Sequence, residues 1–171
     1  RLFRARGSSV ALMTDTTIVV RPARDEDGDL IGQLIQLCWA EYEGCIFDRY
    51  GEMAWLDTIS SDYEERGGIA WCALSDDIVI GSVAVAPAGE VGGAWEVTKM
   101  YIHPNLRRAG LGSSLMSLAE EHASDHGAKR LVLWTDTRFE AAHSFYECLG
   151  YFKDGRTREL DDLSKSIEYF Y

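Results

Sequence analysis

The apolar and polar positions of the chain alternate between short β-branched runs and longer stretches with helical spacing. Ile18-Val19-Val20-Arg21-Pro22 predicts a first strand closed by its proline. Asp25 then suits the N-cap of a helix that carries Leu30, Ile31, Leu34, Ile35 and Leu37 on its apolar side. Residues 41–51 mix aromatic and acidic side chains and predict an irregular loop, followed by a second helix over 52–65 that stops at Gly67-Gly68. The apolar runs 69–74 and 78–86 flank Ser75-Asp76-Asp77, a hairpin signal, and a glycine-rich turn at 89–93 leads into a further strand over 95–102.

Leu111, Leu115, Leu118 and Ala119 predict a helix from 111 to about 126, stopped by Gly127. Leu131-Val132-Leu133-Trp134 reads as a short buried strand, 140–149 as a helix ended by Gly150, and 151–160 and 166–171 as a closing pair of strands. The two strands flanking the 111–126 helix should run parallel through a right-handed crossover. This order predicts a single α/β layer domain with a mixed sheet over 13–171. Residues 1–12 contain three arginines and no acid, and continue no pattern, so they are expected to be a disordered or non-native extension before Met13.

Composition narrows the function classes. With 171 residues, 46% of them hydrophobic, the chain can bury a full core. No apolar run approaches the roughly 20 residues of a membrane span, which predicts a soluble, cytoplasmic protein. The 28 acidic against 17 basic residues leave a net charge of −11, which argues against nucleic acid or an anionic membrane as partner and suits a cationic amine. Cys38, Cys45, Cys72 and Cys148 form no C-x-x-C pair and are expected to be reduced thiols.

Candidate chemistry concentrates where the strand ending at Ile102 passes His103-Pro104 and enters the 111–126 helix. Arg107-Arg108-Ala109-Gly110-Leu111-Gly112 sets an R-x-x-G-x-G pattern at the helix head. Unpaired N–H groups of a first helical turn, two cations and glycines without Cβ together read as a pyrophosphate cradle. No G-x-x-x-x-G-K-S/T is present, and position 115, where a dinucleotide fingerprint needs its third glycine, is Leu115.

The segment 96–104 with Arg107, Gly110 and Gly112 resembles the acyl-CoA-binding motif of the GNAT N-acetyltransferase superfamily, and 142–151 (A-H-S-F-Y-E-C-L-G-Y) resembles that family's second signature. The resemblance covers residues 18–151. It implies a mixed, mostly antiparallel central sheet with a parallel, splayed strand pair, flanked by helices. It further implies acetyl-CoA as cosubstrate, without a metal, with its pyrophosphate on Arg107, Arg108, Ala109, Gly110, Leu111 and Gly112 and its pantetheine along Met100, Tyr101 and Ile102. Glu96 stands where many members carry a base, often acting through water; an ion-paired strand glutamate is the structural alternative. Tyr146 stands where the family has a tyrosine near the thioester sulfur, as acid or as positioning group. One departure is Phe139, in place of an asparagine that contacts the coenzyme; Arg138 or backbone would have to replace it.

The implied reaction is acetyl transfer to a primary amine of a small molecule or peptide, by direct attack in a ternary complex. A longer acyl donor, a protein acceptor or a non-catalytic acyl-CoA sensor are the alternatives. Cys148 is the only cysteine expected near the site, and no histidine activates it. Trp39, Tyr42 and Phe47, with Glu41, Glu43, Asp48 and Glu52, either roof the acceptor site or anchor a solvated loop. His122 and His126 lie at metal-binding spacing but without a third ligand, and a solvated helix face is expected; His103 is expected to form a turn and His143 to pack or face solvent. A terminal strand ending Tyr169-Phe170-Tyr171 could cross to a second subunit in a homodimer.

Overall fold

A computed structural model describes residues 17–89 and 92–171; the 1–12 extension and the centre of the 89–93 turn lie outside the described residues. The β-branched runs form β1 (Val19–Pro22), β2 (Ile69–Ser75), β3 (Ile78–Pro87), β4 (Ala94–Ile102) and β5 (Arg130–Val132), which lie in that order in one sheet. β1 to β4 pair antiparallel, and β4 pairs parallel with β5. Asp76 and Asp77 close the β2–β3 hairpin with φ of 47° and 64°, the left-handed pair that a two-residue turn requires. β3 is buried from Val79 to Ala86 because helices cover both faces.

One face is covered by α1 (Gly28–Trp39) and α2 (Ile59–Glu65), whose Ile31, Leu34, Ile35, Ile59 and Tyr63 pack on Cys72, Ala84 and Ala86. The opposite face is covered by α3 (Leu111–Asp125) and α4 (Glu140–Cys148), through Leu115, Met116, Ala119 and Tyr146 on Val83, Val85, Trp95 and Val97. Leu37 is 43% exposed and does not belong to the apolar side of α1. Asp25 does not cap α1 either. Its carboxylate accepts from the N–H groups of Ser60 and Ser61, 2.7 and 3.1 Å away, and so caps α2 from across the fold. The helix expected over 52–65 is a 3-10 turn, Ala54–Thr58, followed by the shorter α2.

The strand expected over 131–134 breaks at Leu133. β4 and β5 stay in register only for Ala94↔Arg130, Trp95↔Leu131 and Glu96↔Val132. Leu133 then exchanges two 3.0 Å backbone hydrogen bonds with Tyr171, and the chain continues as β6 (Trp134–Asp136) in a second sheet. That sheet has the order β6-β8-β7, with β7 (Thr157–Glu159) and β8 (Ile167–Phe170), so only three residues of the run 151–160 become strand. The result is a V whose arms are the far halves of β4 and β6. Among the described residues no helix is long and apolar enough to cross a membrane.

Candidate active site

Glu96 marks the vertex of the V, since its register partner Val132 is the last residue of β5. From there β4 carries a bulge. Ser82 and Ala84 of β3 oppose Tyr101 and Thr98, so β4 holds one extra residue, and Lys99 takes φ 54° to accommodate it. Ser82 secures the bulge by donating its hydroxyl to the Lys99 carbonyl at 2.7 Å. Val97, Met100 and Ile102 therefore face the α3–α4 core, while Thr98 and Tyr101 face α1 and α2. Bulges of this kind re-aim side chains beside a site.

Past Ile102, His103 accepts the Asn105 N–H on Nδ1, which makes it the turn former expected of it. Pro104–Leu106 is a single 3-10 turn, and α3 begins at Leu111. None of the backbone N–H groups from Arg107 to Ser113 bonds to a described residue. Gly110 has φ 88°, and a Cβ there would have nothing within 4 Å. A row of N–H groups undonated among the described residues, at the positive end of a 15-residue helix, is an arrangement that favours an anion. Gly112 serves a different purpose from Gly110: a Cβ there would stand 3.3 Å from Phe145 of α4, so it permits close helix packing.

The two arginines of this turn also divide their roles. Arg108 is exposed, with φ 64°. Arg107 is committed inward, with Nη2 2.6 Å from Glu41 and Nε donating to the Ile102 carbonyl at 3.3 Å. Cys38 also points its thiol at that carbonyl, 3.4 Å away, and Tyr101 accepts from Trp39 Nε1 at 3.2 Å. Cys38 rather than Cys148 is thus the cysteine beside the V. Burial holds its thiol above the ordinary value, so it stays protonated.

Tyr146 of α4 is buried against Tyr151 and Tyr171. Burial, with Tyr101 and Tyr171 adding to it, pushes its phenol well above the ordinary value. The hydroxyl bonds to no described residue, yet no sealed polar side-chain atom lacks a partner, so this oxygen reaches open space. Glu96 is half-buried, and burial raises its carboxyl; Arg158, Arg66 and Lys99 oppose the rise and Glu168 adds to it. Lys99 and these neighbours, on β4, just past α2, and on β7 and β8, escaped the sequence reading. Only the fold brings them together.

Three acids of the aromatic and acidic loop after α1 are engaged within the protein. Glu41 holds Arg107, Asp48 accepts the Gly51 N–H, and Glu52 accepts the Leu163 N–H at 2.7 Å. Tyr42 rests on Phe139, ring centroids 4.7 Å apart, at the head of α4. Arg138 is bound to Asp136 at 2.6 Å and to Ser164 and Ser166. His143 is buried, with Nε2 2.9 Å from the Asp136 carbonyl. His122 packs edge-on to Trp71 and Trp95 instead of lying on a solvated face. Among the described residues, no group of three or more His, Cys, Asp or Glu is placed to hold a metal.

This fold is shared with known proteins. The chain is 32% identical over 136 residues to the protein named uncharacterized N-acetyltransferase YjgM of Escherichia coli K12, covering 78% of this chain and 81% of that one. It superposes on a GNAT-family acetyltransferase of Staphylococcus aureus Mu50 with a TM-score of 0.74 at 17% identity, over 90% of this chain and 98% of that one. The Salmonella typhimurium protein yncA, whose structure holds its cofactor acetyl-CoA, superposes with a TM-score of 0.68 at 16% identity, over 90% and 91% of the two chains. The model of the acetyltransferase (GNAT) family matches residues 31–151, from the middle of α1 to the end of the second signature; this chain belongs to that family.

Proposed function

We propose that the protein transfers an acetyl group from acetyl-CoA to a primary amine by direct attack in a ternary complex. The observation that carries this reading is the alignment of the undonated N–H groups at Arg107–Ser113 with a V that opens at Glu96. The backbone of Arg107, Arg108, Ala109, Gly110, Leu111 and Gly112 holds the pyrophosphate, with Arg108 as a cation that pairs with no carboxylate among the described residues. The open edge of β4 at Met100 and Tyr101 pairs with the pantetheine amides; the Ile102 carbonyl is already taken by Cys38 and Arg107. Acetyl-CoA supplies the activated carbonyl.

Glu96, directly or through a water, takes a proton from the acceptor ammonium, and its raised pKa makes it a stronger base than an ordinary glutamate. The freed nitrogen lone pair forms the C–N bond, and the C–S bond breaks. Tyr146, held protonated by burial, gives its proton to the departing sulfur, and the second proton that the nitrogen sheds on becoming an amide returns the phenolate to phenol through water. Positioning accounts for much of the remaining rate. Cys38 is buried as a thiol and Cys148 is exposed without an activating partner, so no acyl-cysteine step is needed.

The test is release of free coenzyme A from acetyl-CoA across small amines, amino acids, aminoglycosides and peptides, run beside Glu96→Gln. Amine-dependent release that falls in the variant supports the reading. Binding of acetyl-CoA with no release for any amine would replace it with a sensor role.

A further inference from the structure

The α2-facing side of β4 carries more positive charge than its own carboxylates neutralise. Around Glu96 stand Lys99, Arg66 and Arg158, with Glu168 as the other acid. Arg158 is paired with Glu168 at 2.6 Å and lies over the Trp134 ring, 4.4 Å from its centroid. The other two cations have no carboxylate within 4 Å among the described residues. Lys99 places its ammonium 3.7 Å from the centre of the Trp55 ring, and Arg66 lies 5.0 Å over Tyr63. Tyr63 in turn bonds through its hydroxyl to Thr98, which ties this wall to β4.

Two features set Lys99 apart from a surface lysine. It occupies the left-handed position of the bulge, a conformation disfavoured for a side chain of this length and met at ligand clamps. It also loses solvation with no carboxylate within 4 Å among the described residues; burial lowers its pKa to about 8, which Glu96 and Glu168 only partly oppose. An aromatic face offsets part of that cost, and an incoming anion would offset more. Of the four acids that suited a purely cationic substrate, Glu41, Asp48 and Glu52 are engaged within the protein.

We propose that Lys99 and Arg66 bind a carboxylate of the acceptor, so that the substrate is an amino acid, its amine directed at Glu96 and its carboxylate at the Trp55–Tyr63 wall. This rests on the acetyltransferase reading above and narrows its acceptor. It disfavours amines without an acid, such as aminoglycosides and polyamines.

The experiment compares α-amino acids with their α-carboxamides in the coenzyme A release assay, for wild type, Lys99→Met, Lys99→Arg and the exposed-site variant Arg66→Gln. Loss of one charge-assisted contact predicts a wild-type kcat/KM preference for acids of about tenfold or more. That ratio should approach one in Lys99→Met, return in part in Lys99→Arg, and shrink in Arg66→Gln, which keeps the test alive if the β4 variants fold poorly. Amides used as well as acids by the wild type, or a ratio unchanged in both Lys99→Met and Arg66→Gln, would overturn the carboxylate site while leaving the transferase reading intact. Acetyl-CoA binding with no release for acid, amide or any other amine would remove both.

Discussion

Glu41 and Arg107 form an ion pair, 2.6 Å between Oε2 and Nη2, that fastens the loop after α1 to the turn that opens α3. The loop and the turn proposed to hold the coenzyme are thereby one mechanical unit. Both side chains are about one-third exposed, so the pair itself contributes little to stability. Glu41→Gln should change unfolding free energy by less than about 1 kcal/mol. It should nevertheless raise the acceptor KM severalfold, because Arg107 no longer holds the loop. Thermal denaturation beside steady-state kinetics separates the two effects.

Glu96 sets a pH dependence of known sign. Its carboxyl is raised in the fold, so the base form appears, and kcat/KM climbs, only above the ordinary glutamate range. Glu96→Gln should remove that acid limb and lower kcat by about 10²-fold or more. A group raised in the folded state stabilises when protonated and becomes a penalty once pH rises through its folded pKa. The same variant should therefore unfold at a higher temperature than wild type at neutral pH.

Tyr146→Phe tests the acid without disturbing the packing. The hydroxyl has no hydrogen bond to lose among the described residues, so stability should shift by no more than about 0.5 kcal/mol. An acid role predicts a fall in kcat of about 10²-fold at unchanged acetyl-CoA KM. A rise in KM alone would assign the phenol to positioning.

The two glycines of the cradle should fail differently. Gly110→Ala forces a side chain into φ 88° and costs about 1–2 kcal/mol with no contact to blame. Gly112→Ala has an ordinary backbone but pushes on Phe145, an overpacking cost of about 1–3 kcal/mol. Gly110→Asn should recover part of the first loss, since asparagine tolerates the left-handed region, while Gly112→Asn should be worse than Gly112→Ala.

Asp27 anchors the first strand to the start of α1. It is buried, receives both terminal nitrogens of Arg21 at 2.7 and 2.8 Å, and accepts the Arg24 N–H. Arg21 accordingly holds its carboxyl below the ordinary range. The stabilisation is in force above about pH 4 and drains away as pH falls through the depressed value. Asp27→Ala should cost about 3 kcal/mol at neutral pH and flatten the acid limb of a stability-versus-pH curve.

What could be read in advance followed from local signals. The 76–77 hairpin, the parallel strands around α3 and the glycine-rich entry to α3 each rest on a few contiguous residues whose conformational demands are strong. The break at Leu133 was illegible because Leu131-Val132-Leu133-Trp134 is uniformly apolar, and only Tyr171, far along the chain, decides where its partner changes. Asp25 has the chemistry of a cap, but sequence cannot say which helix it caps. Lys99 was passed over because a bulge adds a residue without marking it. Extended pairing would have pointed Lys99 at the opposite core, and the unlike neighbours Trp55, Arg66 and Arg158 come from three separate elements.

The divergence of β4 from β6 also bears on how the protein behaves when it is empty. Past Glu96 the inner margins of both arms have no neighbouring strand among the described residues, and apolar Met100 and Ile102 flank the β4 margin. Unprotected margins of this kind recruit extended chain from other molecules. Coenzyme lying along β4 would then act as a plug against self-association, so preparations stripped of it should lose monodispersity first, well below the temperature at which the fold itself melts.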